Sequence, residues 1–291
     1  MIGSCNSRLR DLLARKKAVL LPGAANALAA RIIEDLGFQA IYVTGAGVTN
    51  TFLGMPDIGL MSVTELASHV SAMRDAVALP LIVDADTGFG NAINVARTIQ
   101  TLERSGANAI QLEDQNFPKR CGHFSGKSVV PKAEMVQKIH AAVDARLDPD
   151  LVIVARTDAI AVNGFDDAME RAAAYVEAGA DMTFVEAPRT MEQITNVPKR
   201  LSVPQLLNIV AGGLTPMIAI DELERMGYAM VLHANAALQA SIAGMQKVLG
   251  HLKTYGSLDG TPAQLASFEE RQRLVSKPRF DDLEKKYSLP D

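Results

Sequence analysis

The sequence contains little cysteine and carries little net charge. Its 291 residues include two cysteines, Cys5 in an N-terminal segment expected to be unstructured and Cys121 farther along, and the formal net charge is −4. Two cysteines are too few for a disulfide framework, so a reducing, cytoplasmic location is expected. The small acidic surplus leaves no basic footprint for nucleic acid. The composition therefore argues against a disulfide-stapled domain and against a nucleic-acid-binding protein.

Long hydrophobic runs are also missing. No run approaches the roughly 20 apolar residues that a helix needs to cross a membrane. Residues 1–10 lack the apolar centre of a signal peptide, so neither membrane insertion nor export is expected. The composition is nevertheless 48% hydrophobic, enough for a chain of this length to bury a large core.

The hydrophobic residues are distributed over eight short runs rich in Val, Ile and Leu. None alternates cleanly between apolar and polar residues, which is typical of strands buried on both faces of a parallel sheet. Helical patterns separate the runs, so strand and helix alternate along the chain. The runs are residues 18–21, 40–43, 81–83, 109–112, 151–155, 182–185, 205–208 and 229–233.

The alternation predicts a (β/α)8 TIM barrel. Eight strand-helix units in roughly 230 residues fit this fold better than an open doubly wound sheet, which is the alternative. A glycine that can cap a helix in the left-handed conformation precedes every second strand and forms a partial internal repeat. We expect a barrel in residues 1–248 and a helical extension in residues 249–291. The four glycines are Gly37, Gly106, Gly179 and Gly227.

The active site of such a barrel lies at the carboxyl ends of its strands, so residues that follow the runs are candidates. They form a dense polar ring, in which we expect Glu186 and Asn208 to contact substrate. The ring comprises Tyr42, Thr44, Gly45, Ala46, Asp84, Asp86, Glu113, Arg156, Asp158, Glu186, Asn208, His233 and Asn235.

Three acids in this ring predict a metal site. Asp84 and Asp86 are two residues apart on a segment expected to be extended, so they point the same way, and Glu113 follows the neighbouring strand. Crowded carboxylates repel one another unless a cation lies among them, and hard oxygen ligands favour Mg²⁺ or Mn²⁺ over zinc. The alternative is that one or two of these acids only pair with arginine or cap helices.

Glycine-rich segments add a possible anion site. Residues 45–47 allow backbone N–H groups to point at an anion. The third glycine of a dinucleotide fingerprint is missing there, and Ser125 lacks the spacing of a nucleophile elbow. A dinucleotide site and a serine hydrolase are therefore disfavoured.

Cys121 lies in a polar, glycine-containing loop beside three cationic or potentially cationic residues, Lys119, Arg120 and His123. Such surroundings favour the thiolate and proton transfer. The alternative, an inert buried cysteine, is disfavoured because the loop has no apolar pattern to pack into a core. The loop could close over a substrate.

Residues 41–208 resemble the isocitrate lyase and phosphoenolpyruvate mutase superfamily. The cysteine loop is similar to that of the lyase branch, whereas the mutase branch typically lacks this cysteine. The matching segments are Thr44-Gly45-Ala46, Leu53-Gly54-Met55-Pro56-Asp57, Asp84-Ala85-Asp86-Thr87-Gly88-Phe89-Gly90, Glu113-Asp114-Gln115, Lys119-Arg120-Cys121-Gly122-His123, Ala155-Arg156-Thr157-Asp158-Ala159 and Glu186-Ala187-Pro188.

The resemblance implies a Mg²⁺-dependent lyase that cleaves a carbon–carbon bond in a 2-hydroxy dicarboxylate or tricarboxylate. Cys121 would protonate the carbanion of the leaving carboxylate, and Tyr42 and Arg156 would surround the substrate hydroxyl, with the general base unassigned. The metal would be held near Asp84 and Asp86, and Asp57 and Glu113 would reach it through waters. Substrate would contact Thr44, Gly45, Ala46, Asp84, Gly122, His123, Arg156, Glu186 and Asn208.

The resemblance also bears on the substrate and the assembly. An arginine that meets a further carboxylate in the methylisocitrate lyases aligns with Gln239, and residues 208–216 are similar to the dimethylmalate lyase and oxaloacetate hydrolase relatives. A dicarboxylate like 2,3-dimethylmalate is therefore favoured, then 2-methylisocitrate, then oxaloacetate hydrolysis, with the phosphonomutase and decarboxylase branches last. A non-catalytic metabolite-binding barrel is the alternative outside the superfamily. Family members are tetramers that exchange the eighth helix, which here falls in residues 236–252.

Overall fold

The structure, a computed structural model, describes residues 4–15, 17–120, 126–261 and 265–288. Its eight parallel strands follow one another around a closed barrel, and β8 pairs with β1. The (β/α)8 prediction is therefore confirmed. No helix in these ranges is long and apolar enough to cross a membrane. The strands are β1 (Val19–Ala24), β2 (Ile41–Val43), β3 (Leu81–Asp84), β4 (Ala109–Glu113), β5 (Val152–Thr157), β6 (Met182–Val185), β7 (Gln205–Asn208) and β8 (Met230–His233).

Helices surround the barrel and follow its strands. A π-helix (Thr49–Leu53) and a 3₁₀ helix (Ala159–Ala161) add single turns. The α-helices are α1 (Cys5–Ala14), α2 (Ala27–Asp35), α3 (Gly45–Val48), α4 (Val63–Ala76), α5 (Ala92–Arg104), α6 (Lys132–Ala145), α7 (Phe165–Glu177), α8 (Met191–Arg200), α9 (Ile220–Met226), α10 (Ala236–Tyr255), α11 (Phe268–Leu274) and α12 (Lys277–Tyr287).

The apolar runs are buried on both faces, as their composition predicts. One hydrophobic cluster fills the barrel interior and includes Tyr42 and Phe184, while others pack the strands against the helices. The four glycines before the even-numbered strands all have positive φ, from 82° at Gly37 to 103° at Gly106. These turns end the helices and return the chain to the next strand.

Helix α1 corrects the expectation of an unstructured N-terminal segment. Cys5 is its first residue, and Leu9 and Leu12 are buried in the same cluster as the barrel interior. The side chain of Ser4 caps the helix by accepting a hydrogen bond from Ser7 N at 3.1 Å. The helix forms because it buries leucines against the barrel, a tertiary contact that local sequence does not reveal.

Helix α10 differs from the helices before it, because none of its 20 residues is buried. It runs without a break through residue 248, where the barrel was expected to end, so that boundary stays a prediction. Beyond it, α11 is fastened to α2, since Arg273 Nη1 and Nη2 each lie 2.6 Å from a carboxylate oxygen of Asp35.

Candidate active site

A cavity of about 40 Å³ lies at the carboxyl ends of the strands, where the predicted ring was placed. Cys121, Gly122 and His123 lie outside the described residues, and Gly45 and Asp86 stand beside the cavity rather than in its lining. The lining comprises Tyr42, Thr44, Ala46, Asp57, Asp84, Glu113, Lys119, Arg120, Arg156, Phe184, Glu186, Asn208, Val210, Leu232, Ala234 and Asn235.

Asp84 and Asp86 come together as predicted, but by a different backbone path. Strand β3 ends at Asp84, and Asp86 stands in a turn with a φ of 48° rather than on an extended segment. Both carboxylates lean against Gly45: a Cβ on this glycine would lie 3.2 Å from Asp84 Oδ2 and from Asp86 Oδ1. Gly45 therefore provides the space in which the two acids meet.

Lys119 is bound to these acids. Its ammonium forms ion pairs with Asp57 and, at 2.7 Å, with Asp86 Oδ1, and only 3% of its side chain is exposed. Burial raises the pKa of Asp86 to about 6, with Lys119 opposing the rise and the charges of Asp84 and Asp57 adding to it. From the sequence, Lys119 was expected to act on the Cys121 thiol, whereas the structure shows it neutralising carboxylates.

Glu113 supplies a third buried acid. Its Oε2 lies 3.4 Å from Arg156 Nε, and its buried Oε1 has no hydrogen-bond partner among the described residues. Burial raises the pKa of Glu113 well above its usual value, although the charge of Arg156 opposes the rise. A buried carboxylate oxygen without a partner is costly, so this atom would gain from a water or a cation.

These carboxylates fit a hard divalent cation. Asp84, Asp86, Asp57 and Glu113 offer only oxygen ligands, which Mg²⁺ and Mn²⁺ prefer. Within the described ranges, no three His, Cys, Asp or Glu side chains already converge on one point. Mg²⁺ does not require such convergence, because it usually keeps several waters and is held by one or two carboxylates.

Arg156, near the end of β5, is oriented by the acids around it. Its Nε donates to Asp158 Oδ2 at 2.8 Å and its Nη2 to Asp158 Oδ1 at 3.1 Å, while Glu186 Oε2 lies 3.5 Å from Nη2. The guanidinium carbon is 5.0 Å from the centre of the Phe184 ring. These contacts hold the positively charged Arg156 guanidinium in the cavity wall, where it can bind a substrate carboxylate.

Tyr42 belongs to a buried relay that includes a residue not identified from the sequence. Its hydroxyl donates to Gln111 Oε1 at 2.8 Å, and Gln111 Nε2 donates to Asp84 Oδ1 at 3.1 Å. Burial, followed by the charge of Asp84, raises the pKa of Tyr42 well above its usual value, so its hydroxyl stays protonated. The available signal for Gln111 was its amide in an otherwise apolar strand, two residues before Glu113.

Thr44 begins the short helix α3 at the cavity. Its Oγ1 accepts a hydrogen bond from Gly47 N at 3.2 Å and donates to Asn235 Oδ1 at 3.3 Å. The backbone amides of Gly45 and Ala46 lie in the first turn, where they have no acceptor within the helix. Their assignment to a substrate carboxylate stays a prediction.

The opposite wall combines polar and apolar residues. Glu186 follows β6 and Asn208 ends β7, and the buried Asn208 Oδ1 has no hydrogen-bond partner in the part of the chain that the structure describes. Leu232 and Ala234 add an apolar surface. The sequence does not single out this surface, because apolar residues are common at the end of any buried strand.

Both sides of the segment that contains Cys121 are fastened near the cavity. The side chain of Gln115 donates to Arg120 O at 2.8 Å and accepts from Arg120 N at 2.9 Å. Asn116 N donates to Ser128 O at 2.9 Å. Arg120 and Ser128 are therefore each hydrogen-bonded to the residues that follow β4.

The chain is similar in sequence to known enzymes over most of its length. A family model for phosphoenolpyruvate phosphomutase matches residues 9–253. The chain is 42% identical over 282 residues to 2,3-dimethylmalate lyase of Eubacterium barkeri, covering 97% of this chain and 98% of that protein. It is 43% identical over 278 residues to 2-methylisocitrate lyase of Aeropyrum pernix, covering 96% and 88%.

Solved structures agree over nearly the whole chain. Oxaloacetate acetylhydrolase in complex with the inhibitor 3,3-difluorooxalacetate superposes with a TM-score of 0.92 at 35% identity, covering 97% of each chain. A 2,3-dimethylmalate lyase also gives 0.92, at 32% identity, covering 98% and 96%. Phosphonopyruvate hydrolase with oxalate and Mg²⁺ gives 0.89 at 30% identity, covering 98% and 99%.

Proposed function

The chain belongs to the phosphoenolpyruvate mutase and isocitrate lyase superfamily, whose carbon–carbon lyases and related enzymes it matches throughout, and we propose that it cleaves a substituted 2-hydroxy dicarboxylate resembling 2,3-dimethylmalate. The observation that carries the proposal is the pairing of clustered acids with a buried guanidinium. Asp84, Asp86 and Glu113 suit a metal that binds the oxo-acid end, and Arg156 suits a substrate carboxylate.

The charge of the cavity supports a substrate with few carboxylates. Among the described residues, four carboxylates and three cations line it. Lys119 is bound to Asp57 and Asp86, and Arg156 is bound to Asp158. Each additional substrate carboxylate must find compensation among these groups, so a dicarboxylate is easier to accommodate than a tricarboxylate.

The proposed reaction breaks the bond between C2 and C3 of the substrate. A base takes the C2 hydroxyl proton, the C2–C3 electron pair leaves with C3, and C2 becomes the carbonyl carbon of the oxo acid. The thiol of Cys121 gives its proton to C3, and the two proton transfers balance. From 2,3-dimethylmalate the products are pyruvate and propionate.

The remaining roles follow from position. Mg²⁺ or Mn²⁺ bound at Asp84 and Asp86, with Asp57 and Glu113 reaching it through waters, would supply a Lewis acid at the oxo-acid end. The hydroxyl of Tyr42 stays protonated and donates its proton to Gln111, so towards the substrate it suits accepting a hydrogen bond from the C2 hydroxyl rather than removing its proton. Substrate carboxylates would be held by the amides of Gly45 and Ala46, by Thr44 and Arg156, and by Gly122, His123 and Asn208. Glu186, itself a carboxylate, would instead accept a hydrogen bond from the substrate hydroxyl.

A second candidate is 2-methylisocitrate cleavage. It is supported by the name of several relatives, including one 43% identical in Salmonella typhimurium. Gln239, which aligns with their substrate arginine, is exposed on α10 and does not line the cavity. Because no cation at this position faces the cavity, the dicarboxylate remains our first choice.

A panel of malate derivatives with Mg²⁺ tests the proposal, with pyruvate, glyoxylate and oxalate followed as products. We expect kcat/KM for 2,3-dimethylmalate to exceed that for 2-methylisocitrate, since a third carboxylate is left poorly compensated. Activity should disappear in EDTA and return with Mg²⁺ or Mn²⁺. A clear preference for 2-methylisocitrate would favour the second candidate, and oxalate from oxaloacetate the third. Turnover of phosphonopyruvate alone would identify the mutase branch, and no turnover at all would indicate a binding protein.

The proposed enzyme is cytoplasmic and works as a homotetramer in which α10 is exchanged between paired barrels. Exposed apolar side chains along α10, among them Met245 and Leu249, support this assembly. The proposal keeps residues 1–248 as the catalytic barrel and residues 249–291 as the extension that stabilises the exchange.

A further inference from the structure

Asp158 is shared by two buried cations. It follows β5, and its side chain is completely buried. Arg156 binds both of its oxygens, and Lys127 Nζ donates to the same Oδ1 at 2.7 Å, with only 1% of the lysine side chain exposed. One carboxylate therefore connects the cavity arginine to a lysine that does not line the cavity.

Hydrogen bonds to Asp114 hold Asp158 in place. Its backbone N–H donates to Asp114 Oδ1 at 2.9 Å. Asp114 in turn accepts hydrogen bonds from Thr157 Oγ1 at 2.7 Å and from the Tyr175 hydroxyl at 2.8 Å. Asp158 therefore has little freedom to move. The orientation of the Arg156 guanidinium then depends on how Arg156 and Lys127 share the two oxygens of the Asp158 carboxylate.

We propose that Lys127 is a positioning residue for Arg156, which it keeps available to the substrate carboxylate by sharing the charge of Asp158. Arg156 faces three carboxylates, those of Asp158, Glu113 and Glu186. Without Lys127, the full negative charge of Asp158 would act on the guanidinium and offset more of its positive charge, because buried charges interact strongly. The inference rests on the proposed role of Arg156 in substrate binding.

The location of Lys127 gives this contact a further consequence. Lys127 lies in the connection between β4 and α6, six positions after Cys121. Through Asp158, a residue of that connection influences the guanidinium on β5. The connection that supplies the proposed proton donor therefore also sets the strength of the carboxylate site.

Oxalate binding in the presence of Mg²⁺ tests the inference without requiring turnover. By isothermal titration calorimetry, Lys127→Met should weaken oxalate binding about tenfold or more, the range expected for outer-shell partners. Lys127→Arg, which keeps the charge, should restore most of the affinity. The matched control is Lys132→Met. Lys132 is an exposed lysine that pairs with Glu170, so the variant should bind oxalate with the affinity of the wild type.

A double variant keeps the test decisive if Lys127→Met folds poorly. Removing both partners of a buried pair is better tolerated than removing one. In an Asp158→Asn background, adding Lys127→Met should change oxalate affinity less than about twofold, because the proposed effect of Lys127 on Arg156 runs through the charge of Asp158. A larger change there, or wild-type affinity in folded Lys127→Met, would overturn the inference.

The outcomes separate this inference from the proposed function. If the wild-type protein does not bind oxalate, the assignment of Arg156 and the role of Lys127 both fail. If oxalate binds as described but no malate derivative releases pyruvate, only the proposed substrate is wrong.

Discussion

Buried charge governs the site at the scale of single residues. Burial opposes ionisation of an isolated carboxylate, so each acid here depends on a particular cation. Asp86 has Lys119 as its neighbour, and Asp158 has Arg156 and Lys127. Removing one of these charges would leave its partner buried and unpaired. Substitutions at these residues should therefore affect binding and stability together.

The first prediction at this scale concerns Cys121. Cys121→Ser should fold, bind oxalate and lose about 10²- to 10⁴-fold in lyase rate, since a positioned proton donor contributes that much and a hydroxyl is a poor substitute for the thiol. Steady-state kinetics and calorimetry measure the two effects. Cys5→Ser is the control, because Cys5 lies in α1 at the opposite end of the barrel. More than half the wild-type rate in Cys121→Ser would rule out the proton-donor role.

A second prediction concerns the pH dependence of stability. Burial alone would raise the pKa of Asp158, but Arg156 and Lys127 outweigh it and hold the pKa at about 2. The stabilisation is therefore complete above the usual aspartate pKa and is lost as the pH falls towards 2. By urea unfolding, the stability difference between the wild type and Asp158→Asn should shrink by about 1 kcal/mol from neutral pH to about pH 3.

The control for this experiment is Asp166→Asn, since Asp166 is 87% exposed and pairs with a surface arginine. Its stability difference from the wild type should stay nearly constant over the same pH range. A constant difference for Asp158→Asn as well would show that the folded Asp158 titrates like an ordinary aspartate.

At the scale of elements, the site depends on side-chain relays between neighbouring strands. The parallel register places Asp84 of β3 beside Gln111 of β4. Gln111 bonds Asp84 on one side and Tyr42 of β2 on the other. Three consecutive strands therefore hold one carboxylate in place.

Replacing this amide should weaken the metal site. Gln111→Leu removes the donor to Asp84, and the affinity for Mg²⁺ should fall about 10- to 100-fold, as for other outer-shell partners. Mg²⁺ titration in the presence of oxalate measures the loss. The control is Gln205→Leu, another buried glutamine, which bonds Thr183 on β6 and should alter stability without altering Mg²⁺ affinity. Equal Mg²⁺ affinity in the two variants would contradict the relay.

The elements could be predicted far better than the contacts of the site. Strands buried on both faces are visible as apolar runs. The glycines Gly37 and Gly106 indicate where a helix ends before the next strand begins. The acids at strand ends could be located because a barrel fixes which end is functional. Lys119, Lys127 and Gln111 could not be assigned, because their partners lie on other elements and their roles depend on distances between them.

At the scale of the whole molecule, α10 follows the last strand of the barrel yet buries none of its residues. The apolar residues of α10 recur at helical spacing along one stripe, and between 38% and 59% of each remains exposed. A groove of about 350 Å³ lies between α2 and the start of α10, and Leu28 and Ile32 in its wall are also exposed. The stripe consists of Ile242, Met245, Leu249 and Leu252.

The last prediction is that these surfaces are covered by a second copy of the chain. Burying a leucine contributes about 1.5–3 kcal/mol, whereas a buried unpaired carboxylate is costly. If the wild type is the proposed tetramer, Leu249→Glu should therefore reduce it to smaller species. Light scattering coupled to size-exclusion chromatography measures the mass. Tyr287→Glu, on the exposed face of α12, adds the same charge outside the stripe and should leave the tetramer intact. A monomeric wild type, or an unchanged mass for Leu249→Glu, would mean that α10 does not mediate assembly. Because Asn235, which immediately precedes α10, contacts Thr44 in the cavity, any loss of assembly should also lower oxalate affinity.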